Sequence, residues 1–169
     1  ANNVATMLAA AGVVSAPFEV EEDYAILPDN TGNCVDNGCG SVAFQVVCTA
    51  EVTSAGLMAE VVMPNSGSNS LFVHVTDATF DAGTLTSVDC VMDDCDTWSC
   101  ADCDTDNWQW LDESPTLTLR QGTNTVSLVG REDGVQVRTL LLHSAPGCEV
   151  WQWVEHARRM DGGTIAAEG

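Results

Sequence analysis

The densest chemistry in the sequence lies between positions 89 and 110, which read DCVMDDCDTWSCADCDTDNWQW. Cys90, Cys95, Cys100 and Cys103 fall here, with three of the five tryptophans and a run of aspartates. The stretch has no hydrophobic periodicity and cannot fold by burying a face of its own, so covalent or metal bonds must hold it. Disulfides suit such a loop. Zinc is a second reading, because Cys-x-x-Cys is half of a common zinc pattern. A third is an iron–sulfur cluster: Cys95-x4-Cys100-x2-Cys103 has the spacing of the plant-type [2Fe–2S] loop, with Cys148 left as the fourth ligand. The acidic residues carry a further option. Asp102, Asp104 and Asp106, with Glu113 closing the series, have the spacing of a calcium loop, although Asn107 stands where such a loop wants glycine. Among the tryptophans, Trp98 is expected to be the exposed one, a platform for the C–H faces of a sugar ring. Trp108 and Trp110 share one side of a strand and have a core-facing option.

Composition narrows the partners. The 169 residues are 45% hydrophobic, enough for one domain with a real core. Against 25 acidic residues stand five basic ones, all arginine, for a net charge of −20. That surface repels nucleic-acid phosphates and anionic membranes and favours cations, neutral ligands and salty water. No apolar run is long enough to span a bilayer, so membrane insertion is not expected. Eight cysteines, Cys34, Cys39, Cys48, Cys90, Cys95, Cys100, Cys103 and Cys148, are an even set in polar loops. They imply four disulfides and a secreted, extracellular setting, without fixing the pairing.

The elements that must position these groups are strands. Residues 1–17 read as an N-terminal arm ending at Pro17, residues 18–155 as the folded domain and 156–169 as a C-terminal tail. Within the domain, strand patterns fall at 18–21, 24–27, 42–48, 57–63, 71–76, 116–120, 125–129, 135–143 and 149–154. In 71–76, Leu71, Val73 and Val75 share one face. The Asp133-Gly134 pair between two alternating runs predicts a hairpin, with Glu132 and Asp133 exposed at its tip. Many short strands with turn chemistry between them and no long helix indicate an all-β fold, an antiparallel β-sandwich or jelly roll with disulfide-stapled loops.

From Leu71 onward the sequence resembles a known family. SNSLFVHV, a tryptophan-bearing loop closing in WQW, and TLTLRQGTNTVSLVGREDGVQVRTLLL are similar to the C-terminal half of family-6-type and related carbohydrate-binding modules. Phe18-Glu19-Val20-Glu21 is similar to their opening element. The resemblance implies a jelly roll that binds polysaccharide or glycan without catalysis, through aromatic side chains in loops at one end. Carried over, it makes Glu19 and Glu21 candidate calcium ligands and Trp98, Trp108 and Trp110 candidate sugar contacts. Glu132 and Asp133 join them as candidates for sugar hydroxyls. The sequence departs from the family at Arg138, near where an aspartate commonly completes the calcium site.

Two other functions compete. The apolar arm could add a strand to a neighbour's open sheet edge, making the protein a self-assembling subunit of an extracellular filament, sheath or surface layer. The cysteine loop could instead define a metal or iron–sulfur protein. Enzyme activity is not expected: the sequence has no nucleophile elbow, no His-Glu-x-x-His, no phosphate loop and no lysine.

Overall fold

Every apolar run in the sequence is short, and each one that the structure describes is a strand. A computed structural model describes residues 5–8, 10, 12–32, 34, 39–76, 96–100, 105–111 and 114–151. These contain thirteen strands and no α-helix. They are β1 (Ala5–Leu8), β2 (Val13–Ser15), β3 (Glu19–Glu21), β4 (Tyr24–Ile26), β5 (Cys39–Cys48), β6 (Val52–Met63) and β7 (Ser70–Thr76). The rest are β8 (Asp96–Ser99), β9 (Thr105–Leu111), β10 (Leu117–Leu119), β11 (Gly122–Gly130), β12 (Gln136–His143) and β13 (Cys148–Trp151).

They form two antiparallel sheets. The first runs β10-β6-β12-β4-β3, with β9 also on β6 and β1 also on β12. The second runs β13-β5-β11-β7-β8, with β2 also on β5. Long central strands therefore carry two short partners end to end along one side. On β12, β4 pairs at 136–137 and β1 at 139–142. On β6, β9 pairs at 59–63 and β10 at 52–55.

The core lies between the sheets and follows the period-2 pattern. Val42, Phe44 and Val46 of β5, Leu57, Ala59 and Val61 of β6, and Leu140 and Leu142 of β12 are all buried in one cluster. Leu71 and Val73 join it from β7, as their alternation predicted, with Val75 packed against it.

Three expectations are corrected by this architecture. The Asp133-Gly134 turn is not a hairpin: β11 lies in one sheet and β12 in the other, so the turn is an arch between them. Gly134 has φ 77°, as a tight turn requires, but its N–H donates to the Leu27 carbonyl at 2.7 Å, and Leu27 N–H donates to Val135. The N-terminal segment is not a free arm either. Within residues 1–17, β1 pairs with β12 and β2 with β5, and Met7 is fully buried because it stands opposite Leu140 on the core face of that sheet. Lastly, the stretch read as one long loop contains two strands. β8 pairs with β7 and β9 with β6, since edge positions on both sheets supply the hydrogen bonds that its own sequence pattern does not advertise.

The disulfide expectation holds where both partners are described. Cys34 bonds to Cys39 and Cys48 to Cys148, and no described cysteine is free. Cys100 is also disulfide-bonded. These bonds overturn two metal readings: Cys148 is not a fourth cluster ligand, and Cys100 is not a thiolate for zinc or iron. Cys90, Cys95 and Cys103 lie outside the described residues, as does the tail at 156–169.

Candidate functional site

The pairing of β9 with β6 decides which way its side chains point. Gln109 stands opposite Val61 and Leu111 opposite Ala59, and both partners are core residues, so Gln109 and Leu111 face inward. Trp108 and Trp110 must then face out. Trp110 is 48% exposed, among the most exposed large apolar side chains described. Gln109 fills the inward position between them, and its Nε2 has no hydrogen-bond partner among the described residues.

Trp110 belongs to a row that crosses four strands. Leu8 pairs with Thr139, Thr139 with Glu60, and Glu60 with Trp110, so all four share the outer face. A register shift between Val137 and Thr139 places Arg138 on that face as well, beside Thr139, with both side chains reaching Glu60. Arg138 donates from Nε to Glu60 Oε2 at 3.0 Å and from Nη2 to Glu60 Oε1, a two-pronged ion pair. The Thr139 hydroxyl donates to the same Oε2 at 3.0 Å. The hydrogen bond from Arg138 holds the Glu60 carboxyl below its ordinary range against the opposing effect of burial, and the same bond raises Arg138.

Trp108 is occupied differently from Trp110. The Arg138 guanidinium lies 4.5 Å from its ring centroid, a cation–π distance, and Tyr24 meets it edge-on at 5.5 Å. The Tyr24 hydroxyl donates to Glu21 at 2.6 Å, and that bond raises the phenol above its usual pKa. The face therefore has a buttress and a platform. Trp108, Tyr24, Arg138 and Glu60 brace one another, and Trp110 stands beside them with its ring open.

The other sequence candidates fall elsewhere. Trp98, expected to stand out, is 2% exposed: β8 places it opposite Leu71, and both enter the core. Glu132 is 8% exposed rather than at a hairpin tip. It accepts from Asn69 N–H at 2.9 Å and Ser70 Oγ at 2.6 Å and pairs with Arg131 at 2.9 Å, locking the arch to the start of β7. Asp133 accepts from the N–H groups of Asn30 and Gly32 at 3.0 and 3.1 Å and so holds the 29–32 turn. Both Glu132 oxygens are thus engaged within the protein, as is Asp133 Oδ2.

Of the calcium candidates, Glu19 and Glu21 are exposed on β3, Asp106 is exposed on β9, and Asp102 and Asp104 lie outside the described residues. Among the described residues no three His, Cys, Asp or Glu side chains converge, whereas calcium takes six to eight oxygens. Glu19 and Glu21 could hold at most part of such a shell, and Glu21 already accepts a hydrogen bond from the Tyr24 hydroxyl. Arg138, the departure noted in the sequence, gives its charge to Glu60.

One cleft of about 310 Å³ opens where β10 approaches β7, lined by Val75, Thr76, Thr118, Arg120 and Asn124. It has no aromatic side chain or carboxylate among those residues. Asn124 is committed to the backbone, donating to Arg120 O and accepting from Arg120 N–H, each at 2.8 Å.

Sequence reasoning named Trp108 and Trp110 but missed Tyr24, Glu60 and Thr139. Their association depends on the β4-β12-β6-β9 order, which no local pattern encodes. One local signal did exist. Leu111 after Trp-Gln-Trp sets the parity of β9, and an inward Leu111 turns both tryptophans out.

No protein-family model matches this sequence, and no curated protein is similar to it. Solved structures do share its fold. A family 35 carbohydrate-binding module from Cellvibrio japonicus superposes with a TM-score of 0.54 at 13% identity, covering 89% of this chain and 97% of that one. A family 35 module from an environmental isolate gives 0.51 at 15% identity, covering 87% and 97%. A third, described as a family 35 module in complex with a glucuronic-acid-containing disaccharide, gives 0.52 at 14% identity, covering 88% and 96%. These three structures are family 35 modules, whereas the sequence pointed to family-6-type and related ones. The shared jelly roll agrees with the expected fold.

Proposed function

We propose that this chain is a carbohydrate-binding module-like domain that stacks a sugar ring on Trp110, on the outer face of the β9-β6-β12-β1 sheet. The observation that carries the reading is the exposed Trp110 ring beside a braced set of polar groups. Glu60, directly opposite Trp110 on the neighbouring strand, is fixed by Arg138 and Thr139, which holds the surface beside the ring in one arrangement. A rigid aromatic platform loses little conformational entropy on binding, and nearby hydroxyl and guanidinium groups can pair with sugar hydroxyls. The jelly-roll likeness to carbohydrate-binding modules supports the same reading. So does the absence of any catalytic motif in the sequence, which fits a binding role without catalysis. The disulfides suit an extracellular setting.

The test is a glycan array followed by calorimetry on the hits, with and without a calcium chelator. Trp110→Ala should weaken binding at least tenfold, a loss of about 1.4 kcal/mol or more. Its melting temperature should stay close to that of the parent. Retained affinity in that variant would remove Trp110 from the site. A chelator that leaves affinity unchanged would separate sugar binding from calcium.

A further inference from the structure

We infer that the Trp110 platform selects uncharged sugars and discriminates against uronic acids, because Glu60 neutralises Arg138, the arginine on the same face beside it. The inference rests on the proposed sugar-binding role of Trp110 and names the ligand class of that site.

A uronate needs a cation to replace the water it gives up, and a bidentate arginine is the usual partner for a carboxylate. Among the described residues the cation on this face is Arg138, and three of its commitments are visible. Its Nε and Nη2 edge is closed by Glu60. Its plane lies over Trp108. Its charge is cancelled by a carboxylate that Thr139 also holds in place. Nη1 has no hydrogen-bond partner among the described residues, Asp23 adds a second negative charge near the guanidinium, and the arginine side chain is 30% exposed. That edge can donate to a hydroxyl, which needs a hydrogen bond and no net charge. For a carboxylate the same edge offers an ion pair already neutralised, inside the field of a chain carrying −20. A like-charged ligand is repelled there, and salt should screen the repulsion. Glu60 is thus a positioning residue that sets specificity through Arg138.

The experiment uses matched oligosaccharides of xylo-, manno- and galacto-type, each with and without a uronic acid substituent, titrated by calorimetry from about 10 mM to 1 M NaCl. The parent protein should prefer the neutral member of a pair at least tenfold at low salt, with the preference shrinking as salt rises. Glu60→Gln removes the negative charge and keeps an acceptor, so the ratio of uronate to neutral affinity should rise at least tenfold. Adding Arg138→Gln should return the ratio towards the parent value. Circular dichroism and melting of each variant confirm the fold, and the salt series on the parent stands without any variant. A parent that prefers the uronate, or a ratio that Glu60→Gln does not move, overturns the inference while leaving sugar binding intact. Failure of every oligosaccharide to bind overturns both.

Discussion

Five tryptophans are present, and the three in the 89–110 stretch do opposite work according to which sheet face they meet. Trp98 is buried against Leu71, whereas Trp110 is 48% exposed. The two predict opposite mutational signatures. Trp98→Ala should cost about 3–5 kcal/mol in urea or thermal unfolding, because it leaves a large cavity in the core. Trp110→Ala should change stability little and binding much. If both variants unfold alike, the assignment of core and platform is wrong. The reversal of the expected roles has a plain cause. Residue type identifies an aromatic, but its side depends on strand register, and no local pattern marks β8 as a strand or sets the partner of β9. The arginines were more legible. In a chain with 25 acidic residues a part-buried arginine has carboxylates to meet, and Arg138 and Arg131 pair with Glu60 and Glu132. Which carboxylate each one meets is set by strands far apart in sequence.

At the scale of elements, the strands carry the chain back and forth between sheets, and the closures matter more than the turns. The Cys48–Cys148 bond joins β5 to β13 at directly paired positions and spans 100 residues. Cys34–Cys39 spans only 5. On the chain-entropy account, the long closure is worth about 4–5 kcal/mol and the short one about 2 kcal/mol. Replacing Cys148 with Ser, together with Cys48, should therefore lower unfolding stability by clearly more than replacing the Cys34 and Cys39 pair. Equal losses in denaturant titrations would show that the long bond does little to the unfolded chain. Gly130 marks another constraint of this scale. It ends β11 at the register shift beside Cys39, where an added Cβ would sit 2.3 Å from the Cys39 carbonyl oxygen. That glycine follows the 125–129 strand pattern, and the reason for it is a close approach between two strands of one sheet.

For the whole molecule, charge is the property that sequence states outright. With −20 on 169 residues, self-repulsion opposes the compact state. Screening shortens the reach of that repulsion from about 30 Å at 10 mM salt to about 3 Å at 1 M. The melting temperature should therefore rise with NaCl over that range, and a flat or falling series would contradict the repulsion. Sequence alone also determined the all-β class, the positions of most central strands and the oxidised state of the described cysteines. Each of these is a local or summed property: a period of two, a composition, an even count of cysteines in polar loops. Tertiary structure alone decided the arch at Asp133-Gly134, the incorporation of β1 and β2, and the burial of Trp98. It also assembled Tyr24, Glu60, Arg138 and Thr139 around Trp108 and Trp110. Those outcomes depend on which strands become neighbours across the sandwich. Pairing between distant strands is chosen by the burial of whole faces, and that choice is not written in any single stretch of the chain.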